Sequence, residues 1–130
     1  MKNTTYAVLL FAVAIASLSL GNILLKQGTN RYDTLTAAGL PTARALWHTP
    51  QLPAGMVLMI VQFVCTLTLF KWGWDASVVI PVLGLSYVAM AVLGKWMLGE
   101  PVNAVRWLGI FLITAGVFFV ARSVIPDKPV

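Results

Sequence analysis

Thr5–Leu25 reads TYAVLLFAVAIASLSLGNILL, twenty-one consecutive residues without a charge. A bilayer's hydrocarbon core is about 30 Å thick, and roughly 20 apolar residues of α-helix cross it. Three more apolar stretches of comparable length follow, Leu52–Phe70, Ala76–Leu98 and Ala104–Val120, with charges only near their ends. Inside lipid every backbone N–H and C=O must find a partner within the protein, so a spanning segment becomes a helix or part of a closed barrel. The runs are of helical length and lack strict alternation, which excludes the barrel. The expected fold is an all-α membrane protein, a single domain over residues 1–130 with four transmembrane helices in an antiparallel bundle.

Composition agrees. Hydrophobic residues make up 59% of the chain and charged residues 10%, against roughly a quarter charged in soluble domains. The net charge of +5 would suggest a nucleic-acid partner in a soluble protein. Here Lys2, Lys26, Arg31, Lys71, Lys95, Arg106, Arg122 and Lys128 sit at helix ends and Arg44 in a loop, a placement suited to anionic lipid head groups. No nucleic-acid partner is expected. Cys65 lies mid-span as the single cysteine and reads as packing. With His48 the single histidine, no metal-ligand set forms, and no nucleophile–base pair stands out. Neither an enzyme nor a cofactor is expected.

Lys2 ahead of an apolar run containing Ala12, Val13, Ala14 and Ala16 has the outline of a signal peptide. The run is too long, however, and Asn22 and Lys26 follow without a cleavage context, so a retained helix is expected. That helix is expected to end at Lys26-Gln27-Gly28, where Gly28 is a natural stop. The connection from Thr29 to Pro53 is the one long loop. Within it Thr42–His48, with Arg44, Leu46 and Trp47, reads equally as a short interfacial helix or as an irregular loop. Tight turns at Lys71-Trp72-Gly73-Trp74-Asp75 and Gly99-Glu100-Pro101-Val102-Asn103 separate the last three spans, with Pro101 ending the third and Asn103 capping the fourth. The tail beyond Arg122, with two prolines, is expected to be mobile. Four cations on the side of the termini against five on the other leave almost no positive-inside bias. Insertion in either orientation, or one fixed by a partner, would explain that balance; so would an ordinary but weakly signalled orientation.

No Asp or Glu lies inside a span, which disfavours direct proton-for-cation exchange on a membrane carboxylate. The polarity that remains is neutral and helically spaced: Ser19, Asn22 and Lys26 share one face of the first helix, and Gln62 and Thr66 one face of the second. Ser17, Thr66, Thr68 and Thr114 are expected to bond back to their own helices. Asn22, Gln62 and Lys26 suit a cavity lining as well as helix glue. Pro81 should kink the third helix near Ser86 and Tyr87. Gly109, Ala115 and Gly116 form a small-residue face on the fourth helix that fits a dimer contact.

Several stretches resemble the drug/metabolite transporter superfamily, of EamA and small-multidrug-resistance type. They are Gly21-Asn22-Ile23-Leu24-Leu25-Lys26-Gln27-Gly28-Thr29 at the end of the first helix, Ala76–Leu83 opening the third, and Gly99-Glu100-Pro101-Val102, Arg106–Gly109 and Gly109–Val117 at the last turn and helix. The resemblance implies four-helix subunits that pair through helix four around a cavity lined by helices one to three. The small multidrug resistance branch carries a glutamate two turns before the lysine matching Lys26; Leu18 stands there instead. Subunits that flip undecaprenyl-phosphate-linked aminoarabinose lack that glutamate too and share the Lys-Gln-x-Thr, Pro81 and Glu-Pro-Val features, although the Thr29–Pro53 loop is longer than in either branch.

The implied function is flipping of a polyprenyl-phosphate-linked sugar across the bacterial inner membrane, by a homodimer or a heterodimer with a similar subunit. Substrate-binding candidates are Lys26, Lys95 and Arg106 for phosphate, Ser19, Asn22 and Gln62 for sugar hydroxyls, and Trp72, Trp74 and Tyr87 for stacking or interfacial anchoring. Without a membrane carboxylate, the driving force would come from substrate gradients or from consumption on the far side. Two other readings stand beside it: export of small polar or cationic compounds with the charge supplied by a partner, and a non-transporting membrane scaffold.

Overall fold

A computed structural model describes residues 4–123. Lys2, Lys128 and the tail from Val124 onward, where mobility is expected, lie outside the described residues. Six helices follow one another: α1 Thr4–Ala37, α2 Thr42–Trp47, α3 Gln51–Lys71, α4 Ala76–Leu83, α5 Ser86–Met97 and α6 Ala104–Ser123. No strand occurs among the described residues. Four stretches are long and apolar enough to cross a membrane: α1, α3, α4 with α5, and α6.

The first helix does not stop at Gly28. It runs nine residues further, to Ala37, because Gly28 is a packing residue. A Cβ there would sit 2.8 Å from Leu52 Cδ2 and 3.0 Å from Leu52 N. Termination comes at Gly39, whose φ of 87° only glycine adopts at little cost. The Gly39 N–H donates to Thr36 O and the Leu40 N–H to Leu35 O at 2.9 and 3.1 Å, the paired bonds of a Schellman stop. Gly73, at φ 78°, ends α3 in the same way. At about 1.5 Å per residue α1 is roughly 51 Å long, so its polar end, from Thr29 onward, overhangs a hydrocarbon core of about 30 Å. Thr42–Trp47 is helical rather than irregular and packs back on α1, with Ala45 buried and Trp47 88% exposed.

The tightest packing joins α1 to α3. Ala7, Ala14, Gly21 and Gly28 recur every seven residues on α1, and all four are buried. Ala7 and Ala14 cluster with Cys65, Leu69, Val79 and Leu83, and Leu10, Phe11, Ile15 and Trp74 close over them. Further along, a Cβ on Gly21 would approach Gly55 O to 3.2 Å, and one on Gly55 would approach Leu25 Cγ to 2.8 Å and Gly21 O to 3.0 Å. Small residues let helices approach in lipid, where dispersion replaces the hydrophobic drive. Thr66, Thr68 and Thr114 each donate a hydroxyl to the carbonyl four residues back, as expected of them.

The third span is broken rather than merely bent. Pro81 has no N–H to continue the ladder, and the turn that follows tightens into i→i−3 bonds from Gly84 to Pro81 O and from Leu85 to Val82 O. The helix resumes at Ser86, so the break lies three residues beyond Pro81, whereas the bond its missing N–H removes lies one turn before it, at Ser77 O. In α6, the Asn103 side chain accepts the Arg106 N–H at 2.9 Å, the expected cap. α6 packs on α4 chiefly and buries only Ile110 and Val117. Cβ atoms built on Gly109 and Gly116 meet nothing within 4 Å.

Candidate functional site

Lys26 stands where α1 leaves its apolar segment, and its ammonium donates to Glu100 in the turn between α5 and α6. Three elements thus meet at one end of the bundle. The Glu100 N–H donates to Gly94 O at 3.2 Å, and its Oε2 lies over Gly94, 3.6 Å from where a Cβ would be. Arg106, in the first turn of α6, donates from Nη1 to Pro101 O at 3.5 Å. Lys95 is exposed in the last turn of α5. Glu100 was legible only as a turn residue, although opposite charges at two helix ends on one side of a bundle are the signal that pairs it with Lys26.

The Lys26 hydrogen bond holds the Glu100 carboxyl below the usual carboxylate range; Lys26 and Arg106 add Coulombic attraction and desolvation opposes them. A pKa lowered on folding means that the contact is intact above the unfolded carboxyl's pKa and is lost as pH falls through the lower folded value. The Glu100 side-chain carbon should therefore titrate at lower pH in the wild type than in Lys26→Gln, as read by carbon NMR. Coincident titrations would show that Lys26 does not hold the carboxylate.

The other candidates divide between α1's neighbours and the far end. Ser19 is 1% exposed; its hydroxyl donates to Ile15 O at 2.7 Å and approaches Ser86 O at 3.5 Å, stitching α1 to the start of α5. Asn22 is half-buried on the same helix, one turn before Lys26. Gln62 donates to Thr66 Oγ1 at 2.9 Å along α3. Tyr87 is 62% exposed on α5. Trp74 packs edge-on against Phe11, with centroids 5.6 Å apart, and Trp72 follows the end of α3. Phe11 lies fifteen residues before Lys26 on one rod, which separates the tryptophans from the cationic end by roughly 22 Å. Trp72 and Trp74 are thus not brought together with Lys26, Lys95 and Arg106. Beside α2, an apolar recess of about 470 Å³ is lined by Leu46, Trp47, Pro50, Leu52, Pro53 and Met56.

No family model matches the chain, and no solved structure matches it. Two Pseudomonas proteins named "Probable 4-amino-4-deoxy-L-arabinose-phosphoundecaprenol flippase subunit ArnE" are similar over 49 residues. The one from P. savastanoi pv. phaseolicola is 42% identical over 38% of this chain and 43% of its own length. The one from P. syringae pv. syringae is 40% identical over 38% of this chain and 45% of its own. This partial likeness and the four apolar helices support a multi-pass membrane protein of small-multidrug-resistance/EamA-like type. A third protein, the uncharacterised y4nH of Sinorhizobium fredii, is 33% identical over 125 residues, 93% of this chain and 98% of its own. Identity sustained along nearly the whole of both chains places this protein in one family with y4nH.

Proposed function

We propose that this protein is a subunit of a bacterial inner-membrane flippase for a polyprenyl-phosphate-linked sugar, an antiparallel four-helix unit that works as a homodimer or with a similar partner. The observation that carries the reading is the cationic end of the bundle, where Lys26 and Arg106 converge on one turn beside Lys95. The partial likeness to named flippase subunits supports the lipid-linked substrate. Lys26, Arg106 and Lys95 would hold the phosphate as charged donors, and Asn22, one turn deeper, would meet sugar hydroxyls. Ser19 and Gln62 reach a sugar only by exchanging the bonds they make within the chain. Tyr87 is free to stack, whereas Trp72 and Trp74 anchor the opposite interface. The polyprenyl tail stays in lipid. Two subunits meeting through Gly109, Ala115 and Gly116 would rock to expose the head-group site alternately.

The test is flipping of a short-chain polyprenyl-phosphate sugar by the purified protein in liposomes. Lys26→Ala is expected to lower the rate about tenfold or more, as loss of one charged hydrogen bond to phosphate implies. Equal rates in mutant and wild type would keep the flippase and remove Lys26 from its site. No flipping by either, with the fold intact, would point to a missing partner or to another substrate.

A further inference from the structure

Glu100 sits among the cations Lys26, Lys95 and Arg106 at this end of the bundle, and it occupies the Lys26 ammonium. A phosphate oxygen and a carboxylate oxygen ask the same thing of a lysine: both accept its N–H, and both are stabilised by its charge. The pair is open to water, with the Lys26 and Glu100 side chains 53% and 32% exposed. Such exposed pairs contribute little net stability, so an anion delivered along the bilayer surface can replace the carboxylate.

The turn that bears Glu100 is tied to the rest of the chain at few points. Gly99, at φ 65°, sets its direction, the Glu100 N–H holds it to Gly94 O, and Arg106 and Asn103 hold it to α6. The Lys26–Glu100 contact ties it across to α1. Whatever removes Glu100 from Lys26 therefore breaks a side-chain tie between the α5–α6 turn and α1, while α5 itself stays packed on α1.

We propose that Glu100 is a built-in competitor for the head group: it rests on Lys26 in the empty protein and is displaced by the phosphate of an anionic phosphate ester, which unlinks the α5–α6 turn from α1. This inference rests on the phosphate-binding reading above. It makes head-group binding and release of the turn one event. It also sets a selectivity, since a phosphate already neutralised by its own ammonium has less to gain from Lys26 than a net anionic ester.

The experiment uses the full chain in phosphatidylcholine nanodiscs, with farnesyl phosphate and inorganic phosphate as probes. Glu100→Gln should bind farnesyl phosphate roughly two- to fivefold more tightly than wild type, the factor an exposed ion pair represents, and Lys26→Ala about tenfold more weakly. Hydrogen exchange across residues 98–103 should quicken when wild type binds the probe, and should already be fast in unliganded Glu100→Gln. Tightening confined to farnesyl phosphate assigns the displacing group to a lipid head group, and equal tightening for inorganic phosphate to the free ion; both support displacement. Unchanged affinity in Glu100→Gln, with Lys26→Ala still weakened, overturns the competitor and leaves the phosphate site standing. Binding by neither wild type nor Glu100→Gln overturns both. Should Glu100→Gln fail to assemble, wild type decides alone: exchange that slows across the turn on binding overturns the proposal.

Discussion

Gly55→Leu is expected to destabilise the bundle by about 1–3 kcal/mol, the usual cost of forcing extra atoms into a packed contact. The reason is local. The first carbon of any side chain at this position would already stand 2.8 Å from Leu25 Cγ and 3.0 Å from Gly21 O. Leu25 can turn away, but the Gly21 carbonyl belongs to the backbone of α1 and moves only if the helices separate. Separation would open the seam formed by Gly21 and Gly28 against α3 and loosen the cluster around Ala14, Cys65 and Leu69. Reversible unfolding of the purified protein in mild detergent measures the effect. Stability equal to wild type would mean that α1 and α3 are not held at this distance.

Gly109→Leu combined with Gly116→Leu is expected to do the reverse: leave single-chain stability within about 0.5 kcal/mol, as substitutions away from packed contacts do, while abolishing association. A Cβ on either glycine would meet nothing within 4 Å beyond its own helix, and Phe111, Phe118 and Phe119 on the same helix are 59–72% exposed. Under the proposed pairing, bulk at two places one heptad apart holds the partner helix off. A loss of at least tenfold in association, about 1.4 kcal/mol, should appear in fluorescence transfer between labelled chains in liposomes. Unchanged transfer would move any pairing surface away from this face, and a loss of single-chain stability would show that the face packs within its own chain.

The spans were legible because their apolar length leaves no other solvent, and the turns because glycine and proline mark them. What could not be read was what each small residue is for. Gly28 has the composition of a stop and the surroundings of a seam; only the position of Leu52 tells them apart. The seven-residue recurrence of Ala7, Ala14, Gly21 and Gly28 was present in the sequence, but alanines in an apolar run carry little signal beside the conspicuous Gly109 and Gly116. Pro81 foretold an irregular third span, yet the break falls at Gly84–Leu85, in the middle of i→i−3 bonds that run from Gly84 to Val88. At the candidate site the cations could be listed from the sequence. The pairing of Lys26 with Glu100 spans 74 residues and depends on how the helices are arranged.

Because α1 is one uninterrupted rod from Thr4 to Ala37, its two halves live in different solvents and move together. A tilt imposed on the lipid-embedded half is carried, without a joint, to the polar half beyond the membrane, where α2 rests against it. The overhang is thus a pointer: a label on exposed Asp33 or Thr34 would report, from water, the inclination of the helix that carries Lys26.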